Sequence, residues 1–214
     1  MSSRDIIPLF PLGKILFPKM VLPLHIFEER YKELVAECLE KDSSFAVLLN
    51  ESPLREAIGT SAIIRKVTKT YPDGRMDILI QGVDRIQIVD VISDRSFFQG
   101  EIEIFKDKSN QHPAVGQIES LLDLYHHFIS KLDLDDEQKK LLNDLVDDIN
   151  EERDLSYVIG QTIGLDPISQ QDLLSQTTPS HRIKLLTDEL HRHQQIHSIA
   201  REIFEKTDFD PLSN

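Results

Sequence analysis

Three patterns of hydrophobic and polar positions follow one another along the chain. Between Ile7 and Tyr31 the sequence IPLFPLGKILFPKMVLPLHIFEERY is almost uncharged and is punctuated by Pro8, Pro11, Pro18 and Pro23. Each proline removes a backbone donor and crowds the preceding helical turn, so the run is predicted to be extended, as short edge strands joined by tight bends. It breaks into an amphipathic helix from Glu28 to about Glu40, in which Tyr31, Leu34, Val35, Cys38 and Leu39 recur at the spacing of a buried stripe.

From residue 44 to residue 106 the period shortens to that of strands. Ser44 to Asn50 reads as a short buried strand, and Ile58 to Tyr71 as a longer one that opens on Gly59-Thr60 and carries Ile63, Ile64 and Val67 among basic residues. Pro72-Asp73-Gly74 sets a hairpin turn, because proline presets the backbone and glycine supplies a positive φ. Arg75 to Gln81 then alternates Met76, Ile78 and Ile80 on one face. After Gly82, Val83 to Ile92 continues with Ile86, Ile88 and Asp90 facing one way, and Phe97 to Phe105 forms a last strand with Ile102 and Ile104 in register.

Beyond Asp107-Lys108-Ser109-Asn110 the period becomes helical and stays so. Ile118, Leu121, Leu122, Tyr125, Phe128, Ile129 and Leu132 form one stripe, with Pro113 as a first-turn residue. Leu141, Leu142, Leu145, Val146 and Ile149 form a second, inside an acidic segment from Asp133 to Asp154. A third helix covers about Leu155 to Ile163 and stops at Gly164, suited to a left-handed cap. Asp166-Pro167 opens a fourth near Ile168 to Leu174. Ser180 or Thr178 caps the last and longest, where Ile183, Leu186, Leu190, Ile196, Ile199 and Ile203 carry an apolar face. The fold class is therefore α+β, with a β-rich subdomain over residues 1–110 and an α-helical bundle over residues 111–214, without an internal repeat.

Composition narrows the classes. A chain of 214 residues with 40% hydrophobic and 29% charged residues is ordinary for a globular protein. Lys14, Lys19 and the prolines interrupt its most apolar segment well short of the about 20 residues that span a bilayer. The start, Met-Ser-Ser-Arg-Asp, lacks the order of a secretory signal, so a cytoplasmic location is expected, with no membrane partner. The single cysteine, Cys38, sits in a helical pattern and reads as a small buried hydrophobe. A formal net charge of −13 opposes non-specific attachment to nucleic acid or an anionic membrane.

Constellations that carry chemistry are weak. His193 and His197 lie one turn apart on the last helix and could share an ion, but His191 faces elsewhere and only Glu189 or Glu202 could complete a set. No metal and no cofactor is expected. His126 and His127 point about 100° apart on a helix and do not chelate. Asp135-Asp136, Asp147-Asp148 and Glu151-Glu152 read as solvated helix faces rather than acid–base pairs. No serine nucleophile elbow, Gly-rich dinucleotide loop or Cys-His set is present, so no catalytic residue is assigned.

The ordered motifs resemble the N-terminal, substrate-binding domain of Lon proteases. The resemblance rests on the Pro11-Leu12, Phe17-Pro18 and Pro23-Leu24 steps, the helix from Glu28, and the strand from Phe45 to Leu49. It continues through Gly59-Thr60, Pro72-Asp73-Gly74 and the strand end Gly82-Val83-Asp84-Arg85. Gln170-Gln171-Asp172-Leu173-Leu174, then Arg182 and Leu185, complete it. It implies that the β-rich part is a pseudo-barrel, broadly similar to PUA-type barrels. Pro11, Pro18, Pro23, Gly59, Asp73, Gly74, Gly82 and Arg85 are then determinants of that fold.

Full-length Lon also needs an ATPase. None of the eight glycines is followed by Lys-Ser or Lys-Thr, and Ile15 stands after the Gly13-Lys14 step where a phosphate loop needs a hydroxyl. The resemblance thus implies a stand-alone, non-enzymatic module that binds unfolded or extended polypeptides, through a strand edge or an apolar groove, with a protease or other protein as a further partner and a homodimer conceivable. Phe10, Phe17, Met20, Phe97 and Phe98 are its candidate contacts, since consecutive aromatics cannot both face one core. The alternative is an RNA-binding PUA-like protein using Arg65, Lys66, Lys69, Arg75 and Arg85. The negative net charge and the lack of aromatics interleaved with those cations oppose it.

Overall fold

The proline-broken run forms two strands, β1 (Asp5–Leu12) and β2 (Val21–Ile26), in the computed structural model, which describes residues 5–49, 53–92, 95–108, 112–147, 149 and 151–206. Helix α1 (Glu29–Lys41) follows, then β3 (Phe45–Leu49), β4 (Ile58–Thr70), β5 (Met76–Ile92) and β6 (Gln99–Ile104). Helices α2 (Val115–Lys131), α3 (Asp136–Asp147), α4 (Glu152–Thr162), α5 (Pro167–Ser175) and α6 (Pro179–Lys206) complete the order, so the class is α+β.

The strands lie in the order β2-β5-β4-β3-β1-β6, and β6 also pairs with β5, so β5, β4, β3, β1 and β6 form a closed circuit of pairings. Among the described strands only β2 has a single strand partner. The expectation that the whole proline run makes edge strands therefore holds for β2 and fails for β1. Residues 5–8 of β1 pair antiparallel with β6, whereas residues 9–12 pair parallel with β3. Because the partner changes midway, Pro8 and Pro11 each have a registered neighbour on one side, and the missing donor is tolerated.

The chain divides into two compact units: Met1–Lys108 with Leu165–Thr177, and Ser109–Gly164 with Thr178–Asn214. Helix α5 thus groups with the strands, across the sequence boundary at residue 110. The reason is chemical. Arg85 of β5 donates through Nη1 to the carbonyls of Leu174 and Gln176, and Gln171 Nε2 donates to Ile58 O at 3.0 Å.

In the β unit the two-residue strand period feeds two cores. Phe45 and Val47 of β3 join α1 residues Tyr31, Leu34, Val35 and Cys38 in one, while Ala46 and Leu48 join Ile7, Leu9, Ile86 and Ile88 in the other. Strand β5 contributes Ile78 and Ile80 to the first and Ile86 and Ile88 to the second, and Gly82 lies between. Leu39 departs from the predicted stripe and is exposed, as is Ile104, although Ile102 is buried.

In the helical unit Leu121, Tyr125 and Ile129 of α2, Leu155, Tyr157 and Ile159 of α4, and Ile183, Leu186 and Leu190 of α6 are buried. Helix α3 turns Leu142 and Val146 inward and leaves Leu141 and Leu145 exposed, so only part of its predicted apolar stripe is used. Asp166 caps α5 by accepting from the backbone N–H of Ile168 at 2.9 Å and Ser169 at 3.2 Å, with Pro167 in the first turn. Thr178, rather than Ser180, accepts from His181 N at the start of α6. Gly164 has the predicted positive φ of 73°. Ile203 is in α6, and its side chain lies outside the described residues, as do Asn50, Ser109, Asn110 and Asp148.

Candidate functional site

Strand β2 pairs with β5 alone among the described strands, in the register Val21↔Gln81 to Ile26↔Met76. Pro23 cannot donate to a ladder, so its backbone must face away from β5. The strand period gives Val21 and His25 the same direction, and the bond from Gly82 N to Met20 O places the even-numbered residues on the β5 side. The outer edge thus offers two N–H groups and three carbonyls to a further strand. Val21, Pro23 and His25 are also exposed, and Phe27, next in the same alternation, is 61% exposed. Leu22 and Ile26 are buried.

The C-terminal half of β2 runs beside a cleft of about 220 Å³, walled by the end of β1 with Gly13 (Phe10 to Gly13), by Leu24 to Glu28, and by Arg30 and Tyr31 in the first turn of α1. That volume is below the about 300–1,000 Å³ of small-molecule pockets and suits an apolar side chain of a longer ligand. The floor is aromatic: the Phe10 and Tyr31 ring centroids are 4.3 Å apart, and burial pushes the Tyr31 hydroxyl pKa up. Arg30 lies over Tyr31 at 4.6 Å from its centroid and pairs with Glu28 at 2.7 Å, so one rim is charged and the floor apolar.

Electrostatics around β2 centre on Asp77 of β5. His25 Nδ1 lies 2.6 Å from its Oδ1, and Tyr71 OH donates to its Oδ2 at 2.9 Å. These two hydrogen bonds, the histidine's first, hold the Asp77 carboxyl below the ordinary aspartate range. Lys69 Nζ sits 4.3 Å from the Tyr71 ring centroid. His25 and Phe27 rings are stacked with centroids 6.2 Å apart, which joins this polar cluster to the apolar edge.

The five sequence-derived contact residues are dispersed. Phe10, Phe17 and Phe97 are buried, and of these only Phe10 touches the cleft. Met20 is half-buried against the first core. Phe98 is 37% exposed and outside the cleft, its carbonyl accepting from Leu9 N at 2.8 Å. The strand edge and the cleft add Val21, Leu24 and Phe27, which sequence reasoning did not single out. The signal was present in the outward parity of Val21, Pro23, His25 and Phe27, once Pro23 is read as an edge marker.

Several of the residues expected to determine the fold make close backbone contacts and turns. A Cβ built on Gly82 would lie 2.3 Å from Phe17 O, and one on Gly59 would lie 2.4 Å from Val47 O. Gly74 has φ 82°, Asp73 accepts from Arg75, and Lys32 Nζ donates to Asp73 O at 3.1 Å, tying the hairpin turn to α1. Pro18 is buried and Pro11 half-buried. Arg65, Lys66, Lys69 and Arg75 are exposed, but Arg85 is buried and bound to Asp107, so it is no part of that basic surface. His193 lies 3.7 Å from Glu189, and the side chain of His197 lies outside the described residues. Among the described residues no three His, Cys, Asp or Glu side chains could hold a metal ion together, and no helix is long and apolar enough to cross a membrane.

Comparison with known proteins is consistent across sequence and structure. The family model described as the ATP-dependent protease La (LON) substrate-binding domain matches residues 6–192. A Lon protease of Dictyoglomus thermophilum is 24% identical over 208 residues, covering 93% of this chain and 26% of the relative. A Lon protease of Cytophaga hutchinsonii is 26% identical over 220 residues, covering 96% of this chain and 27% of the relative. The chain thus spans about a quarter of the length of these curated relatives. Among solved structures, the Lon N-terminal domain protein from Xanthomonas campestris superposes with a TM-score of 0.65 at 22% identity, over 85% of this chain and 96% of that one. The N-terminal domain of Mycobacterium avium complex Lon protease gives 0.68 at 16% identity, over 88% and 100%.

Proposed function

The chain belongs to the Lon substrate-binding domain family, and on that premise we propose that it is a non-enzymatic recognition module that captures extended or unfolded polypeptides. The observation that carries this reading is the outer edge of β2, where backbone groups with no strand partner among the described residues, exposed Val21 and Phe27, and the adjoining cleft lie together. A guest chain in the extended state supplies the two things this surface lacks. Its backbone continues the ladder, which is independent of sequence, and its alternate side chains reach the cleft, which favours large apolar groups. Such a division suits a module that must accept many clients.

The closed circuit of strand pairings supports the reading of the β unit as a PUA-like pseudo-barrel. It does not bring RNA binding with it. The exposed cations Arg65, Lys66 and Lys69 stand without the help of Arg85, in a chain of net charge −13, so the electrostatic attraction on which RNA binding depends is weak. A role beside a protease or other protein partner follows from client capture, since release or delivery needs a second component. The cytoplasm, where unfolded clients are made, is the compartment this role fits.

Fluorescence anisotropy of a labelled, permanently unfolded test protein titrated with the full chain checks the reading. Saturable binding is expected, weakened at least about tenfold by Phe27→Asp, because an aromatic contact of about 1.5–3 kcal/mol is replaced by a charge. No association by the wild type, or tighter and salt-sensitive binding of RNA in the same assay, would overturn it.

A further inference from the structure

We propose that the helical unit carries a self-association site, in which the groove between α2 and α6 receives the Leu141/Leu145 face of α3 from a second copy of the chain. The groove measures about 790 Å³, more than three times the cleft beside β2. Phe128 of α2, Leu132 just past its end and Ile196 of α6 give it an apolar lining, and Ile196 is 59% exposed. Ile199, one turn further along α6, is exposed too. An apolar surface of this kind between two helices is the receiving half of a helix-in-groove contact.

Charge selects the occupant. The chain carries 37 acidic against 24 basic residues, yet among the described residues no carboxylate lines this groove, whereas Lys131 does, beside the polar His127 and His191. The complementary object is an acidic amphipathic helix, and the chain contains one. On α3, Leu141 is 62% and Leu145 47% exposed; they stand at i and i+4, and so on one helix face. Exposed Glu137 precedes Leu141 by one turn and exposed Asp144 follows it, with Lys140 alongside. The neighbouring stripe of α3, Leu142 and Val146, about 100° round the helix, is turned into its own unit, while the leucine pair faces outward.

Each copy owns both a groove and an acidic leucine face, so in the proposed two-fold dimer each copy gives one contact and receives one. In that arrangement Lys131 of one copy meets the carboxylates beside the leucine pair of the other. The site involves no residue of the β2 edge or its cleft, so it stands or falls apart from client capture.

Sedimentation velocity of the full chain over a range of concentrations tests the proposal. The wild type is expected to show a reversible monomer–dimer equilibrium. Leu141→Asp with Leu145→Asp, and separately Ile196→Asp, should each weaken it by at least about tenfold, as loss of a buried apolar side chain requires. All these positions are exposed, and circular dichroism should show both variants folded. An equal mixture of the two variants is the decisive arm. One intact groove then meets one intact leucine face, so the mixture should associate more strongly than either variant alone. A monomeric wild type at all concentrations, a dimer indifferent to these substitutions, or a mixture no better than its components would overturn the proposal. A dimer abolished by Phe27→Asp instead would assign self-contact to the β2 edge and overturn it as well.

Discussion

The Arg85 guanidinium of β5 donates to the Leu174 carbonyl at 2.9 Å, joining the middle of the strand to the last turn of α5, 89 positions away in sequence. The same group donates to Gln176 O at 2.6 Å and pairs with Asp107 at 2.5 Å, its side chain only 4% exposed and Asp107's 23%. This is why α5 belongs with the β unit. Replacing Arg85 by Met leaves two carbonyls and a partly buried carboxylate without their donor, a loss of about 3–5 kcal/mol. For a chain of this size each kcal/mol lowers Tm by about 2–4 °C, so calorimetry should show a large drop. Arg85→Lys should recover little of it, because one ammonium cannot reproduce a fork that reaches three acceptors.

Gly82 and Gly59 are required for close backbone approach. A methyl group at Gly82 would meet Phe17 O at 2.3 Å, and the segment holding Phe17 is itself bonded to β5 through Lys19 N to Gly82 O and Gly82 N to Met20 O, both at 2.9 Å. Neither side can yield cheaply. Gly82→Ala is expected to cost about 1–3 kcal/mol in urea unfolding, and Gly59→Ala a similar amount. Gly116→Ala is the control: nothing lies within 4 Å of its built Cβ, and in the first turn of α2 alanine should be neutral or stabilising by up to about 1 kcal/mol.

Asp166 makes stability depend on pH in a defined direction. Its carboxyl is held below the ordinary aspartate range, first by the Ser169 hydroxyl and then by backbone N–H groups at the start of α5. A group depressed in the folded state contributes fully above its unfolded pKa of about 3.9, and that contribution is lost as pH falls through the lower folded value. Asp166→Asn keeps an acceptor for the backbone and removes the titration. The stability difference between wild type and Asp166→Asn should therefore be constant near neutrality and shrink as pH falls below about 4.

Much of the architecture was legible because local chemistry and tertiary structure agree. The Pro72-Asp73-Gly74 turn, the Asp166-Pro167 helix start and the Gly164 cap depend on backbone preferences that act over three or four residues. The misplaced features depend on partners far away in the chain. Pro8 and Pro11 pointed to an edge, but β1 changes neighbours midway and sits inside the circuit of pairings. Arg85, expected to be a determinant of the fold, also entered the alternative basic surface because nothing near it in sequence announces the carbonyls of α5. The candidate aromatic residues divide between core and surface for the same reason. Phe10, Phe17 and Phe97 satisfy the cores, and the exposed ring at the cleft is Phe27, whose position follows from pairing parity rather than from its neighbours' hydrophobicity.

Amide hydrogen exchange of the full chain, with and without a saturating unfolded polypeptide, tests the central claim most directly. A guest strand added at the open edge should slow exchange across Val21–Ile26 and at Phe27, leaving α2 to α4 unchanged, and Phe27→Asp should abolish the effect. Protection absent from β2, and confined to the basic stretch of β4 around Arg65 and Lys66 or to the helical unit, would contradict it.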